Sequence, residues 1–295
     1  MKRLSKGKKI VRVTRTGPTC AARYAADLEL FLPRQGQQKY DQLPLEIEVS
    51  LGEHQFSEGD GFGFSLRFRQ VIVEVIMNDC EMSREGRYER KVDKEAFHHY
   101  LKRIKDKSTS KRGSVSTGIS ARLSQVLSAL GVEASVMAEA EAQLRAGDIE
   151  TLESRIDFKI VRWAGAGRWH IGHEVLGDPN ELDGTLKGGY ISQPKDAQST
   201  PELSPLCVLL PLSQVGYAAT VELRARKNDC VYKPLGPERN EERWERKNRS
   251  QIEHVLALKM LEEQNRRDGF QAPEGEIILS RGRINVGWED HDERD

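Results

Sequence analysis

The clearest pattern of apolar and polar positions lies at residues 62–78, FGFSLRFRQVIVEVIMN. Phe62, Phe64, Leu66 and Phe68 alternate with Gly63, Ser65, Arg67 and Arg69, the period of two that a half-buried strand requires. After Arg69 and Gln70 the parity reverses, and Val71, Val73, Val75 and Met77 take the apolar positions. A change of parity needs an extra residue, so a β-bulge or a short turn between two strands is expected there. Further alternations run through 28–32, 45–51, 158–160 and 169–175, and 217–225 gives the second clear one. Residues 206–212 form a continuous apolar run suited to a central strand, and 184–191 are a weaker strand candidate. The glycine-rich stretch 59–63 reads as a hairpin turn.

Between these regions the period changes. Phe97, Tyr100, Leu101 and Ile104 recur at helical steps with Asp93 as a cap, and two more helices are expected at 119–130 and 133–146. Gly131 and Gly147 end them. A long helix is expected over 240–265, charged in its first half apart from Trp244 and burying Ile252, Val255, Leu256 and Met260 in its second. Residues 276–280 and 283–288 read as a final hairpin.

Strands, helices, strands, one helix and strands, in that order, predict an α+β fold. It should be mainly antiparallel β, sandwich-like or in two β lobes, with a central helical insertion and a long C-terminal helix. The chain divides into a flexible basic arm (1–20), a β-rich region (21–82), the helical insertion (83–156) with a basic linker (105–118), a second β-rich region (157–288) and an acidic tail (289–295). A short echo, Leu66-Arg67-Phe68-Arg69 against Leu223-Arg224-Ala225-Arg226, links the two β-rich regions without establishing a repeat.

Composition refines this outline. In 295 residues, 31% charged and 37% apolar side chains suit a water-soluble protein with a proper core. The 46 basic and 46 acidic side chains cancel, so the distribution of charge says more than its sum. Lys2, Arg3, Lys6, Lys8, Lys9, Arg12 and Arg15 precede the first acid, Asp27, whereas Glu289, Asp290, Asp292, Glu293 and Asp295 crowd the other end. No apolar run approaches the roughly 18 residues of a membrane span, and the basic N-terminus lacks the apolar core of a secretory signal. Cys20, Cys80, Cys207 and Cys230 form no short-spaced pair and read as reduced thiols, which places the chain in the cytoplasm.

Few motifs carry chemistry. His170-Ile171-Gly172-His173 resembles the nucleotide-binding signature of class I aminoacyl-tRNA synthetases, which implies histidines at a helix start contacting ATP phosphates. Here the motif lies past the midpoint with no later lysine-rich loop, and the alternation of Trp169, Ile171, His173 and Val175 fits a strand. Asp157-Phe158-Lys159, with Asp148 as a first acid, resembles the PD-(D/E)xK nucleases. That resemblance implies a Mg or Mn ion held by Asp148 and Asp157, which activates water and steadies the phosphate, with Lys159 assisting. Glu95 and His98 have the spacing of a carboxylate-bridged di-iron helix, but no second copy exists. Phosphate loops and nucleophile elbows are absent.

Lys102, Arg103, Lys105, Lys107, Lys111 and Arg112 form a basic cluster broken by Asp106 alone, suited to phosphate contact without sequence readout. Arg67, Arg69, Arg224 and Arg226 extend it if the two β-rich regions lie side by side. Alternatively Arg67 and Arg69 pair with Glu46 and Glu48 across a sheet. The expectation is therefore a non-enzymatic binding or assembly protein with a protein partner or a second copy of itself. Nucleic acid is a secondary partner, no membrane is involved, and no cofactor is expected outside the nuclease alternative.

Overall fold

The parity change at Arg69 is a corner, where the chain leaves one sheet for another. A computed structural model of the chain describes residues 8–16, 25–31, 42–58, 62–91, 159–173, 184–191, 204–213, 216–234 and 243–289. Within them, an antiparallel seven-stranded sheet runs in the order Lys8–Thr16 (β1), Glu276–Glu289 (β16), Gly216–Arg226 (β14), Gln70–Asn78 (β7), Arg168–Gly172 (β11), Lys159–Gly165 (β10) and Arg90–Lys91 (β9). Three three-stranded sheets accompany it. One holds Gly188–Gly189 (β12), Ile47–Leu51 (β4) and Ala26–Leu30 (β2); another Leu43–Leu45 (β3), Cys207–Pro211 (β13) and Cys80–Met82 (β8). The last holds Cys230–Pro234 (β15), Phe62–Phe68 (β6) and His54–Glu58 (β5). Helix α1 spans Arg243–Arg267.

Of the two explanations for the parity change, the turn is the one observed. β6 ends at Phe68, Arg69 bends, and β7 starts at Gln70 in the large sheet. The neighbouring segment turns at the same level: β14 passes through a 3-10 turn at Lys227–Asp229 into β15, which pairs with β6. The Arg69 amide donates to the Asp229 carbonyl at 2.8 Å and ties the two bends together. The echo between 66–69 and 223–226 thus lies on the two flanks of one corner. Residues 59–61, where a hairpin turn is expected, lie outside the described residues; the strands on either side pair antiparallel, Glu58 opposite Phe62.

Alternation decides which face of the large sheet is core. Val71, Val73 and Val75 of β7, Val221 and Leu223 of β14 and Ile284 of β16 share one cluster with Leu28, Val49 and Phe68 of the smaller sheets. Slipping β7 by one residue would turn those valines outward, at about 1.5–3 kcal/mol for each side chain exposed. β2 approaches β16 so closely that a Cβ on Gly282 would lie 2.2 Å from Leu30 Cδ1. This corrects the expected terminal hairpin. β16 is one strand of 14 residues, and Gly282, which falls between the two expected hairpin arms, makes room for β2.

The expected α+β class is likewise overturned: the structure is mostly antiparallel β, 60% strand with one helix among the described residues. No central helical insertion is seen among the described residues. Its first residues, 83–91, are not helical: the Ser83 and Tyr88 amides donate to the Val208 and Leu206 carbonyls at 2.9 Å each, and the chain bends between them. Residues 92–158, including the other expected helices, lie outside the described residues. Nor does the C-terminal helix make the fold α+β, since α1 packs at the edge of the β structure, against β15 and β16, and forms no layer of its own.

Candidate functional site

The face of the large sheet opposite the core carries the densest set of charged side chains. Register places Arg168, Glu74, Glu222 and Arg281 in one row across β11, β7, β14 and β16, with Arg224 beside them on β14. Arg168 Nε donates to Glu74 Oε1 at 2.9 Å, and Arg281 Nε donates to Glu222 Oε1 at 2.7 Å. Arg224 is the hub: it pairs with Glu74, donates through Nε to Glu222 Oε2 at 2.8 Å, and reaches Glu276 Oε2 at 3.3 Å. The side chains of Glu222 and Arg224 are only 3% and 7% exposed. Glu74 also holds the Arg168 guanidinium pKa above its ordinary value. Arg281 lies over the Phe270 ring, 4.6 Å from its centroid. Three arginines answer three glutamates, so the charges are matched internally. The row is a scaffold.

The other chemical candidates resolve similarly. His170 lies on β11 opposite Ile72, and His173 follows the strand buried, so the resemblance to the synthetase signature has no helix start to support it. Lys159 is on β10 with its Nζ 2.6 Å from Glu89 Oε2; Asp148 and Asp157 lie outside the described residues, as do Glu95 and His98. Among the described residues no group of three or more His, Cys, Asp or Glu side chains could hold a metal ion. Cys80, Cys207 and Cys230 are free and buried. Burial pushes the Cys207 and Cys230 thiols up to about 12, so neither offers a thiolate nucleophile near neutral pH.

The residues expected to face phosphate are described only in part. Arg67 pairs with Glu53 and donates to Thr185 Oγ1 at 3.5 Å, whereas Glu46 and Glu48 lie at β4 in a different sheet. Arg69 is exposed at its corner, but Arg224 is buried in the charged row. Lys102, Arg103, Lys105, Lys107, Lys111 and Arg112 lie outside the described residues. Within the basic arm, Lys8, Lys9, Arg12 and Arg15 fall on β1, where Lys8 sits opposite Glu289. Cations on such an edge strand discourage unwanted strand pairing, which gives that part of the arm a structural reason.

α1 provides the surface that periodicity misread. Ala257, Leu261 and Asn265 are buried, while Ile252, Val255, Leu256 and Met260, expected in the core, are 60%, 50%, 45% and 36% exposed. The helix is seated by specific contacts. On the stretch of β16 that β1 does not reach, Asn265 Nδ2 donates to the Ile278 carbonyl at 3.0 Å, and the Ile278 amide donates to Asn265 Oδ1 at 2.8 Å. His254 meets the Tyr232 ring edge-on at 4.7 Å, and Lys227 pairs with Glu262. The four apolar side chains recur at three- and four-residue steps on the opposite side, forming one stripe. Among the described residues no helix is long and apolar enough to cross a membrane.

No protein-family model matches the chain, and neither a curated protein nor a solved structure matches it.

Proposed function

We propose that the chain is a non-enzymatic cytosolic binding protein that works as a subunit of an assembly, docking a protein partner on the outer face of α1. The observation that carries this reading is the stripe Ile252, Val255, Leu256 and Met260, left in water although α1 is anchored through its other side. Isolated exposed leucines are ordinary; a contiguous apolar stripe is what an interface leaves visible when its partner is absent. The described chemistry supports the same reading. The charged row is matched in charge, and the buried, free thiols suit a reducing compartment.

Replacing Ile252 and Leu256 together by glutamate tests the proposal. The unmodified chain, used at known concentration as its own bait and against cell extract, should retain a defined partner in fixed ratio, itself included. The double variant should lose that partner while keeping its far-ultraviolet circular dichroism and melting temperature. Indistinguishable association by the two proteins would end this assignment of the surface.

A further inference from the structure

We infer that the outer face of the large sheet binds the sugar–phosphate backbone of a nucleic acid, through arginines that the charged row holds in place. This surface is separate from α1, so the inference is independent of the reading of that helix.

The row is matched in charge but polarised in depth. The side chains of Glu222, Glu276 and Glu74 are 3%, 12% and 15% exposed, against 28% for Arg281 and 38% for Arg168. An approaching molecule therefore meets guanidinium at both ends of the row and little carboxylate. Each end is also oriented in advance. Glu74 takes the Arg168 Nε–H at 2.9 Å and leaves the Nη donors of that guanidinium for another acceptor. Glu222 holds Arg281 through Nε at 2.7 Å and Nη2 at 2.6 Å, while the Phe270 ring supports the guanidinium plane. A carboxylate behind and N–H groups in front fix an arginine for phosphate, with less freedom left to lose on binding.

Two further arginines extend the face. Register sets Arg162 on β10 opposite His170, and Arg283 on β16 opposite Thr220. Neither makes an ion pair among the described residues, and the buried Arg162 Nε has no hydrogen-bond partner. Arg283 is exposed. From β16, which carries Arg281 and Arg283, Arg168 is three strand spacings away and Arg162 four, about 14 and 19 Å. One phosphate cannot span that distance, so the ligand carries a series of them.

The other side chains of the exposed rows choose between polyanions. Thr14 and Thr220 flank Arg283, and the next row holds Asn78 and Asn285. Hydroxyl and amide donors beside arginine suit phosphate and sugar oxygens. Among the described residues of these two rows, Ile76 is the only large apolar side chain exposed. They offer neither a pocket for the anchors of an acidic protein nor a ring on which bases stack. The contact is with backbone and reads no sequence.

Fluorescence anisotropy on the full chain tests this, with a labelled mixed-sequence oligonucleotide, single-stranded and as its duplex. Between about 50 and 200 mM salt, log affinity should fall against log salt with a slope of about −3, for about four phosphates neutralised. The Arg162→Gln/Arg283→Gln variant removes two cations that no described carboxylate needs, and should melt as the wild type does. Its slope should be shallower by about 1.5, and its affinity at the lower salt weaker by about tenfold. Ile252→Glu/Leu256→Glu should bind as the wild type does; a loss there instead would move the nucleic acid to α1 and overturn the assignment. Failure of both probes to bind at the lower salt also overturns it. Equal affinity and slope for the wild type and the arginine variant would place the binding with basic residues elsewhere in the chain. Displacement of the oligonucleotide by polyglutamate at equal charge would make the face a site for acidic protein and end the assignment to nucleic acid.

Discussion

Two regions of this protein invert the usual rule for burial. On the outer face of the large sheet, Glu74, Glu222, Glu276 and Arg224 are largely buried, whereas on the outer face of α1 four large apolar side chains stand in water. What separates the regions is supply of partners. Arg224 finds three carboxylates within reach because antiparallel register sets Glu222 beside Glu74, and the strand end brings in Glu276. The α1 stripe finds nothing among the described residues, because Asn265, Ala257 and Leu261 have already fixed which side of the helix faces the sheet. Polarity alone predicts neither arrangement. A charge can be interior when every partner is present, and an apolar side chain can be exterior when its partner is another molecule.

The largest effect that would break this contrast is expected at its charged pole. Arg224→Ala removes the common partner of Glu74, Glu222 and Glu276 and leaves carboxylates in a poorly hydrated row. A loss of about 3–5 kcal/mol in unfolding free energy is expected, the range for breaking a buried ion pair from one side. Urea titration at neutral pH measures it. A loss below about 1 kcal/mol would mean that water reaches the row and screens its charges.

The next effect sharpens the contrast within α1 itself. Leu261, 2% exposed, and Leu256, 45% exposed, are the same side chain on opposite sides of one helix. Leu261→Ala should cost about 2 kcal/mol, the low end for a core leucine because α1 contacts the sheets along a narrow strip. Leu256→Ala should change the stability of the dilute, monomeric chain by no more than about 0.5 kcal/mol. Equal losses at both positions, measured by the same denaturant titration, would show that the outer stripe is core after all.

The same helix shows what the sequence could and could not disclose. Strand alternation was legible wherever one face is core, as in β6, β7 and β14, because the side chains that join the apolar core there follow a period of two, even though polar side chains between them, such as Glu222, are buried too. The corner was legible too, since a sheet change at Arg69 forces the parity to reverse. The faces of α1 were not. Periodicity favours Ile252, Val255, Leu256 and Met260 for burial, but the side that packs is built from a small residue, a leucine and an asparagine. That choice follows from Ile278, whose backbone needs a partner where β1 does not reach, and Asn265 supplies one. Pairings between residues far apart in sequence decide such questions. The same holds for Gly282, which falls where the hairpin turn was expected and instead admits Leu30, and for Arg224, two of whose three acids, Glu74 and Glu276, come from other strands.

The smallest expected effect places an exposed charge pair against the buried row. The hydrogen bond from Arg67 holds the Glu53 carboxyl below the ordinary carboxylate value of 4.5. A depressed carboxylate pKa means that the folded state favours the ionised form. Its stabilisation is therefore complete above the unfolded-state value and is lost as pH falls through the lower, folded value. Because solvent screens this pair, the contribution should be only about 0.2–1 kcal/mol and should shrink in high salt. Glu53→Gln should accordingly melt slightly below the wild-type chain at neutral pH, with the gap closing as the solution is acidified past the carboxylate range. A gap that stays constant with pH would assign the difference to side-chain packing. A gap as large as that of Arg224→Ala would erase the distinction between exposed and buried charge on which the comparison of the two regions depends.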